Sequence, residues 1–403
     1  MIFFRISSSV TSLLRALRQI LLSSKLRLLI LIIGLNQIFI AFIVKELYPI
    51  HLPLQKLFFF DLIELNVYIP EIGIYLVNIF NLILIWLISK QLFSSNKSLI
   101  PVALFAFSPW SSYLIVTQSM NIYLLCLILM SALGFLLIKS RKRLLGVILF
   151  ALGVILSFYS SFLSFVFLPI ILGLILFKFN YIKEIKTSFI LILIFCMPLI
   201  FYFFRNLIGV KNIYERQITF FSDSSLIAVV NNFQGNTKKA GFGLLSKAIE
   251  NKYLYISEYS LLKILKNLTP TTYFTSQEKL VGFSFSPPIL LGFLIPFLYG
   301  ITIIIFSPTL RKYLSLSAVL IIPSFLSKSL VDMENLIFLE PIIILIISFG
   351  LINLKSNKRY KGFLYLTFVL ILIQLIVIIF DINQREYLRF VRFYGANLVI
   401  GRP

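Results

Sequence analysis

The chain has 403 residues, of which 59% are hydrophobic and 13% charged, and its mean hydropathy is +0.99. A water-soluble core cannot absorb that much apolar surface, so a soluble globular domain is excluded. The net charge of +22 does not mark a nucleic-acid binder either. That reading needs the basic residues on one solvated face interleaved with aromatics, whereas here they sit in short clusters between apolar runs.

Residues 1-26, with Arg5, Arg15, Arg18 and Lys25, form a basic stretch with interspersed apolar residues, the pattern of an amphipathic helix lying on a membrane surface. The first long apolar run, at 27 to 44, lacks the short apolar core and small-residue cleavage site of a signal peptide, so it is expected to be retained as a first span. Further runs of near-spanning length follow at 72 to 89, 99 to 116, 121 to 138, 144 to 158, 162 to 177 and 187 to 204. The segment 205-288 then breaks the pattern, being rich in Asn, Ser, Lys and Tyr. Apolar residues return at helical spacing in YLYISEYSLLKILKNL, which predicts helices packed on the membrane surface. Apolar runs resume at 289 to 306, 313 to 327, 336 to 354 and 362 to 380. The expected fold class is therefore an all-α integral membrane protein with about eleven transmembrane helices. A module of about seven spans (27-204) and one of about four (289-380) flank a long outer loop (205-288), and a tail (381-403) follows.

Charge sets the expected orientation. With the N-terminus inside, the cytoplasmic segments hold 20 of the 37 Lys and Arg, while the short outer loops hold only Lys45, Lys56 and Lys328. The rest lie in the long loop and the tail, and long segments cross largely regardless of charge. Of the 15 carboxylates, only Glu184 falls in a cytoplasmic loop and Glu340 in a span. The other 13 collect on the outer face, where they can serve a ligand. The location implied is the cell membrane, with the N-terminus cytoplasmic and the long loop and C-terminus outside.

Little metal or nucleophile chemistry is on offer. Cys126 and Cys196 lie inside apolar runs, where a thiol behaves as a small hydrophobe, and His51 is the single histidine. A zinc site and a Ser-His-Asp triad are thereby disfavoured. Asn267, Leu268 and Thr269 form a glycosylation tripeptide that carries no meaning without a eukaryotic secretory route.

One stretch resembles a known family. The run from ALFAFSPWSSYLIV to LSFVFLPIILGLILF carries a Ser-Pro-Trp corner at Ser108, Pro109 and Trp110. A Tyr-Ser turn at Tyr159 and Ser160 follows, and then a Leu-Pro at Leu168 and Pro169. It resembles the middle spans of membrane glycosyltransferases of the type C (GT-C) fold, the group of protein mannosyltransferases and the enzymes that add aminoarabinose to lipid A. The outer ENKYLYISEYSLLKILKNLTPTTYFTSQ followed by PPILLGFLIPFLYGI is similar to bacterial members with a long outer loop. The likeness covers roughly residues 70 to 355.

The resemblance implies a GT-C-like fold and transfer of a sugar from a polyprenyl-phosphate donor, which enters from the bilayer, to an outer-face acceptor. Its partners are thus membrane lipid and a lipid-linked sugar, and a divalent metal is a candidate cofactor. It also implies a catalytic carboxylate in the first outer loop, because the acceptor oxygen must lose a proton as it attacks the anomeric carbon. Here that loop is only KELYPIHLPLQKLFFFDLIELNVYIP and has no Asp-Glu pair. Its carboxylates are Glu46, Asp61 and Glu64, each equally readable as a solvated loop residue. Asp61 follows an apolar FFF run and is the favoured base, with Glu64 one helical turn on to orient the acceptor.

A second departure is MENLIFLEPIII. Glu340 precedes Pro341 where the family often places a cation for the donor phosphate, so either another cation serves or the donor site is degraded. Arg205 and Lys252, the latter after Asn251, are the substitutes, and both are also readable as interfacial anchors. Three function classes stay open: a glycosyltransferase, a non-catalytic relative acting as a binding or assembly partner, and a lipid or polysaccharide transporter. The last ranks lowest, because transporters carry more charge within their spans.

Overall fold

The computed structural model describes residues 24–47, 71–93, 97–116, 119, 121–140, 142–161, 164–179, 183–205, 224–239, 241, 252–274, 288–326, 333–356, 362–374 and 376. Among these residues the chain is helical throughout its regular structure and has no strand. A helix satisfies every internal N–H and C=O within its own segment, which is what apolar runs of this length require inside hydrocarbon.

The first half contributes α1 (Ser24–Leu47), α2 (Glu71–Leu92), α3 (Leu99–Ala106), α4 (Pro109–Val116), α5 (Asn121–Ile138), α6 (Arg143–Ser160), α7 (Ser164–Phe179) and α8 (Lys183–Arg205). The middle segment gives α9 (Ser224–Lys239), α10 (Lys252–Leu268) and α11 (Pro270–Phe274). The second half gives α12 (Leu294–Phe306), α13 (Pro308–Ser317), α14 (Met333–Leu336), α15 (Glu340–Ser356) and α16 (Gly362–Gln374). Among the described residues five stretches are long and apolar enough to cross a membrane: Gly73–Leu92, Asn121–Ile138, Arg143–Ser160, Lys183–Phe201 and Ile337–Ser356. A sixth is added if the bent pair Leu291–Phe306 and Leu310–Pro323 is one span.

Two apolar runs expected to be continuous are broken. The run at 99 to 116 divides into α3 and α4 because Pro109 has no N–H to give to the carbonyl four residues back. The run at 313 to 327 begins inside α13 and passes into a 3₁₀ stretch, Ala318–Leu326, that contains Pro323. Its axis turns by 116° from that of the preceding helix. Ser307, in extended conformation, and Pro308 in the first turn of α13 make that bend.

Small residues let the helices approach closely. A Cβ added at Gly134 of α5 would strike the backbone of Phe150 and Gly146 on α6, and one added at Gly146 would strike Ile138 and Gly134. Gly300 of α12 and Gly350 of α15 likewise face the backbone of Ile346 and Pro296. Helices surrounded by lipid gain little from burying apolar surface against one another, so close backbone packing of this kind supplies much of their attraction.

The basic loops gather at one end of the bundle. Lys139 Nζ donates to Tyr313 Oη at 2.9 Å, Lys178 bonds the Ser315 hydroxyl, and Arg143 pairs with Glu184 at 3.0 Å. Phe349, about midway along α15, packs at a tilt on Phe93 just beyond α2, with ring centroids 4.4 Å apart. Glu340 opens the same helix roughly 14 Å from Phe349 and roughly 24 Å from its last residue, Ser356, at 1.5 Å per residue.

The helix predicted within the middle segment is present as α10, and its polarity runs opposite to that of a water-facing helix. Leu261, Leu262, Leu265 and Leu268 are exposed, while Lys263 and Asn267 are buried.

Replacing Gly134 with Ala should lower stability in detergent by about 1–3 kcal/mol, the range for overpacking against fixed atoms. Gly173→Ala is the control, since nothing lies within 4 Å of an added Cβ there. Equal melting temperatures for the two variants would show that α5 and α6 do not pack through these glycines.

Candidate functional site

The break at Pro109 sets free backbone groups that a continuous helix would consume, and these find one local partner and two from distant parts of the chain. In an unbroken helix the Ala106 carbonyl would accept from Trp110 N–H. Here Trp110 N–H turns to the Ser108 hydroxyl at 3.3 Å, so Ser108 caps α4. The Ala106 carbonyl is taken instead by the side-chain amide of Asn36 on α1. Asn36 in turn accepts from Asn78 Nδ2 on α2 at 2.8 Å and from Gln37 Nε2 at 3.1 Å. Both asparagines are buried, and their bonds tie α1, α2 and α3 together in a region that offers no water as a substitute.

The next donor, Ser111 N–H, would reach the Phe107 carbonyl in a continuous helix. It donates instead to Glu340 Oε1 at 3.2 Å, across 229 positions of sequence. Glu340 is 0% exposed and is the first residue of α15. Its carboxylate therefore sits at the N-terminal ends of two helices, α4 and α15, where the aligned peptide dipoles favour negative charge. Oε2 has no hydrogen-bond partner among the described residues.

The middle segment closes over this corner. Ser108 Oγ donates to the Pro288 carbonyl at 3.4 Å, and Ile289 N–H donates to the Tyr273 carbonyl at 2.9 Å. The fully buried Trp110 packs on Tyr273 with ring centroids 5.7 Å apart, and Phe274 packs on Phe297 at 5.2 Å. Tyr273 Oη donates to the Asn267 carbonyl at 2.5 Å. Burial pushes the Tyr273 hydroxyl above the usual tyrosine range, so it stays a donor. Beside the corner lies a cavity of about 20 Å³ bounded by Phe107, Ser108, Pro109, Ile289 and Leu290. That volume holds about one water. Among the described residues the Glu340 corner is thus a polar joint whose adjoining cavity is too small for a sugar.

Of the residues nominated from sequence, Asp61, Glu64 and Asn251 lie outside the described residues. Glu46 falls in the last turn of α1, Arg205 ends α8 and Lys252 begins α10. Among the described residues no three His, Cys, Asp or Glu side chains group as metal ligands. Of the other quoted positions, Tyr159 Oη donates to the Phe195 carbonyl at 3.0 Å and so links α6 to α8, and Leu168 is buried on α7. The sequence singled out the Ser-Pro-Trp corner and Glu340 separately. Their pairing went unseen, although a proline-broken helix signals orphan donors and a carboxylate in an apolar run signals the need for them.

Replacing Glu340 with Ala strands the Ser111 N–H in the interior and opens a void, so stability should fall by about 2–4 kcal/mol. Glu340→Gln keeps an acceptor oxygen in place and should cost less than half as much. Thermal unfolding of the two variants in the same detergent checks this, and an equal loss for both would mean that the charge, and not the acceptor, holds the joint.

No protein-family model matches the chain, and no curated protein matches it.

Proposed function

We propose that the chain is an integral membrane protein of GT-C-like architecture that transfers a sugar from a polyprenyl-phosphate donor to an acceptor on the outer face. In this reading it has about eleven spans, a cytoplasmic N-terminus, and the 205–288 segment and C-terminus outside. The observation that supports it is a convergence. The Ser-Pro-Trp corner, the α10–α11 segment and the Pro-Pro stretch that follows it, on which the family resemblance rests separately, meet around Trp110, Tyr273 and Pro288. The basic loops assigned to the cytoplasm lie together at the other end of the bundle.

The chemistry falls to the first outer loop. Asp61 takes the acceptor's proton as its oxygen bonds to the anomeric carbon, and the bond from that carbon to the donor phosphate breaks. Polyprenyl phosphate leaves with the electron pair. Glu64 orients the acceptor, Glu46 is the alternative base, and Arg205, Asn251 and Lys252 bind the donor phosphate.

One observation favours a second reading, a non-catalytic relative that acts as a binding or assembly partner. Glu340 occupies the place where a phosphate-binding cation is expected, and its Oε1 joins α4 to α15 in the interior.

Asp61→Asn keeps shape and removes charge, so transfer by purified protein should fall about 100-fold or more, the scale of lost acid-base catalysis. Glu46→Gln should leave it nearly unchanged. If the two results are exchanged, Glu46 is the base, and if the wild-type protein transfers sugar from no polyprenyl-phosphate donor, the second reading replaces the first.

Orientation is checked separately by cysteine substitution. A reagent that cannot cross the membrane should label cysteine placed at Ser224 from outside and miss cysteine placed at Ser140, and the reverse pattern would invert the assignment.

A further inference from the structure

A second cavity in the described part of the molecule begins beside the corner, at Phe338 and Pro341, and runs toward the basic end. It encloses about 250 Å³ between α2, α5, α6, α7, the α12–α13 bend and α15. Its walls are hydrocarbon and aromatic, with Leu125, Ile128, Leu168, Ile171, Phe338 and Phe349 typical of them. Along α5 the lining runs from Leu125 to Leu136, a rise of roughly 16 Å at 1.5 Å per residue. That is about half of the ~30 Å hydrocarbon thickness of a bilayer, the depth of one leaflet. Lining residues Leu92, Ile128, Ala132 and Tyr313 are half-buried or exposed, so the chamber reaches the surface of the bundle.

Cations stand at one end of it. Phe135 and Tyr313, which line the chamber, also hold Lys139, whose Nζ lies 5.2 Å and 4.8 Å from their ring centroids and 3.9 Å from that of Phe179. Lys178 is anchored nearby on Ser315. Lys142, Arg143, Arg311 and Lys312 are exposed around the same end. The carboxylate described there, Glu184, is engaged by Arg143.

We propose that this chamber holds one hydrocarbon chain of an anionic phospholipid from the leaflet at the basic end, with the lipid phosphate meeting Lys139 and Lys178 at the rim. An apolar slot one leaflet deep selects a chain. Fixed ammonium groups at its mouth select a negatively charged headgroup. The headgroup end of the site lies at the basic end of the bundle, while its inner end reaches Phe338 and Pro341 beside Glu340; the proposal does not rest on the sugar-transfer reading.

The test is native mass spectrometry of delipidated protein titrated with phosphatidylglycerol and phosphatidylcholine of identical chains. One phosphatidylglycerol should be retained per chain in preference to phosphatidylcholine. Lys139→Gln with Lys178→Gln should reduce that preference about fivefold for each ammonium removed. Filling the chamber from either wall, by Ile171→Trp or Leu345→Phe, should abolish retention of both lipids, and agreement between the two variants guards against misfolding of one. Equal retention of the two lipids by the wild type, or full retention by both filled variants, would overturn the proposal.

Discussion

A single carboxylate that receives the start of a helix from another part of the chain organises this molecule. Pro109 interrupts an apolar run and leaves Ser111 N–H without an intrahelical acceptor, and Glu340 supplies one at 3.2 Å. In a water-poor interior an unmade hydrogen bond costs the full desolvation of the donor, and an isolated buried carboxylate costs more still. Each group thereby makes the other tolerable. The bond fixes α4 on α15, and the Ser108 hydroxyl extends the same joint to Pro288. The segment between the two halves is seated over the corner as a result.

The bundle is consequently differentiated along its axis. At the corner end, buried and half-buried polar groups make specific pairs: Asn36 with Asn78, Asn121 with Asn335 at 3.1 Å, and Glu340 with the Ser111 N–H. At the other end, lysines rest on aromatic rings and hydroxyls next to a large apolar chamber. The first arrangement specifies a structure, because buried polar groups need partners that only this packing brings within reach. The second suits a ligand, because hydrocarbon walls and ammonium groups at the mouth accept anything of matching shape and charge.

Much of the helical organisation was legible in the sequence. Apolar runs at 121 to 138, 144 to 158 and 187 to 204 correspond to α5, α6 and α8, since length and hydropathy alone distinguish a helix in lipid. The loops grouped by charge do meet through Lys139, Lys178 and Arg143. The breaks were less legible, because hydropathy does not register that Pro109 and Pro308 end one helix and begin another. The α10 pattern revealed a helical face but not which side is buried, since leucine outward and Lys263 inward is sensible only where the surroundings are apolar. Glu340 read as a lost cation because its partner lies 229 residues away and no local spacing encodes it. The nominated carboxylates Asp61 and Glu64 fall outside the described residues, so the catalytic assignment rests on sequence and resemblance.

The central functional claim is that a lipid-linked sugar is handled at the corner end, between the first outer loop and the middle segment. Photo-crosslinking with a polyprenyl-phosphate sugar whose reactive group sits on the sugar tests it most directly, followed by mapping of the modified peptides. The account predicts adducts in the 45–70 and 250–290 stretches, competed away by unmodified donor. Adducts confined to the basic end near Lys139 and Lys178, or labelling that excess donor does not suppress, would contradict it.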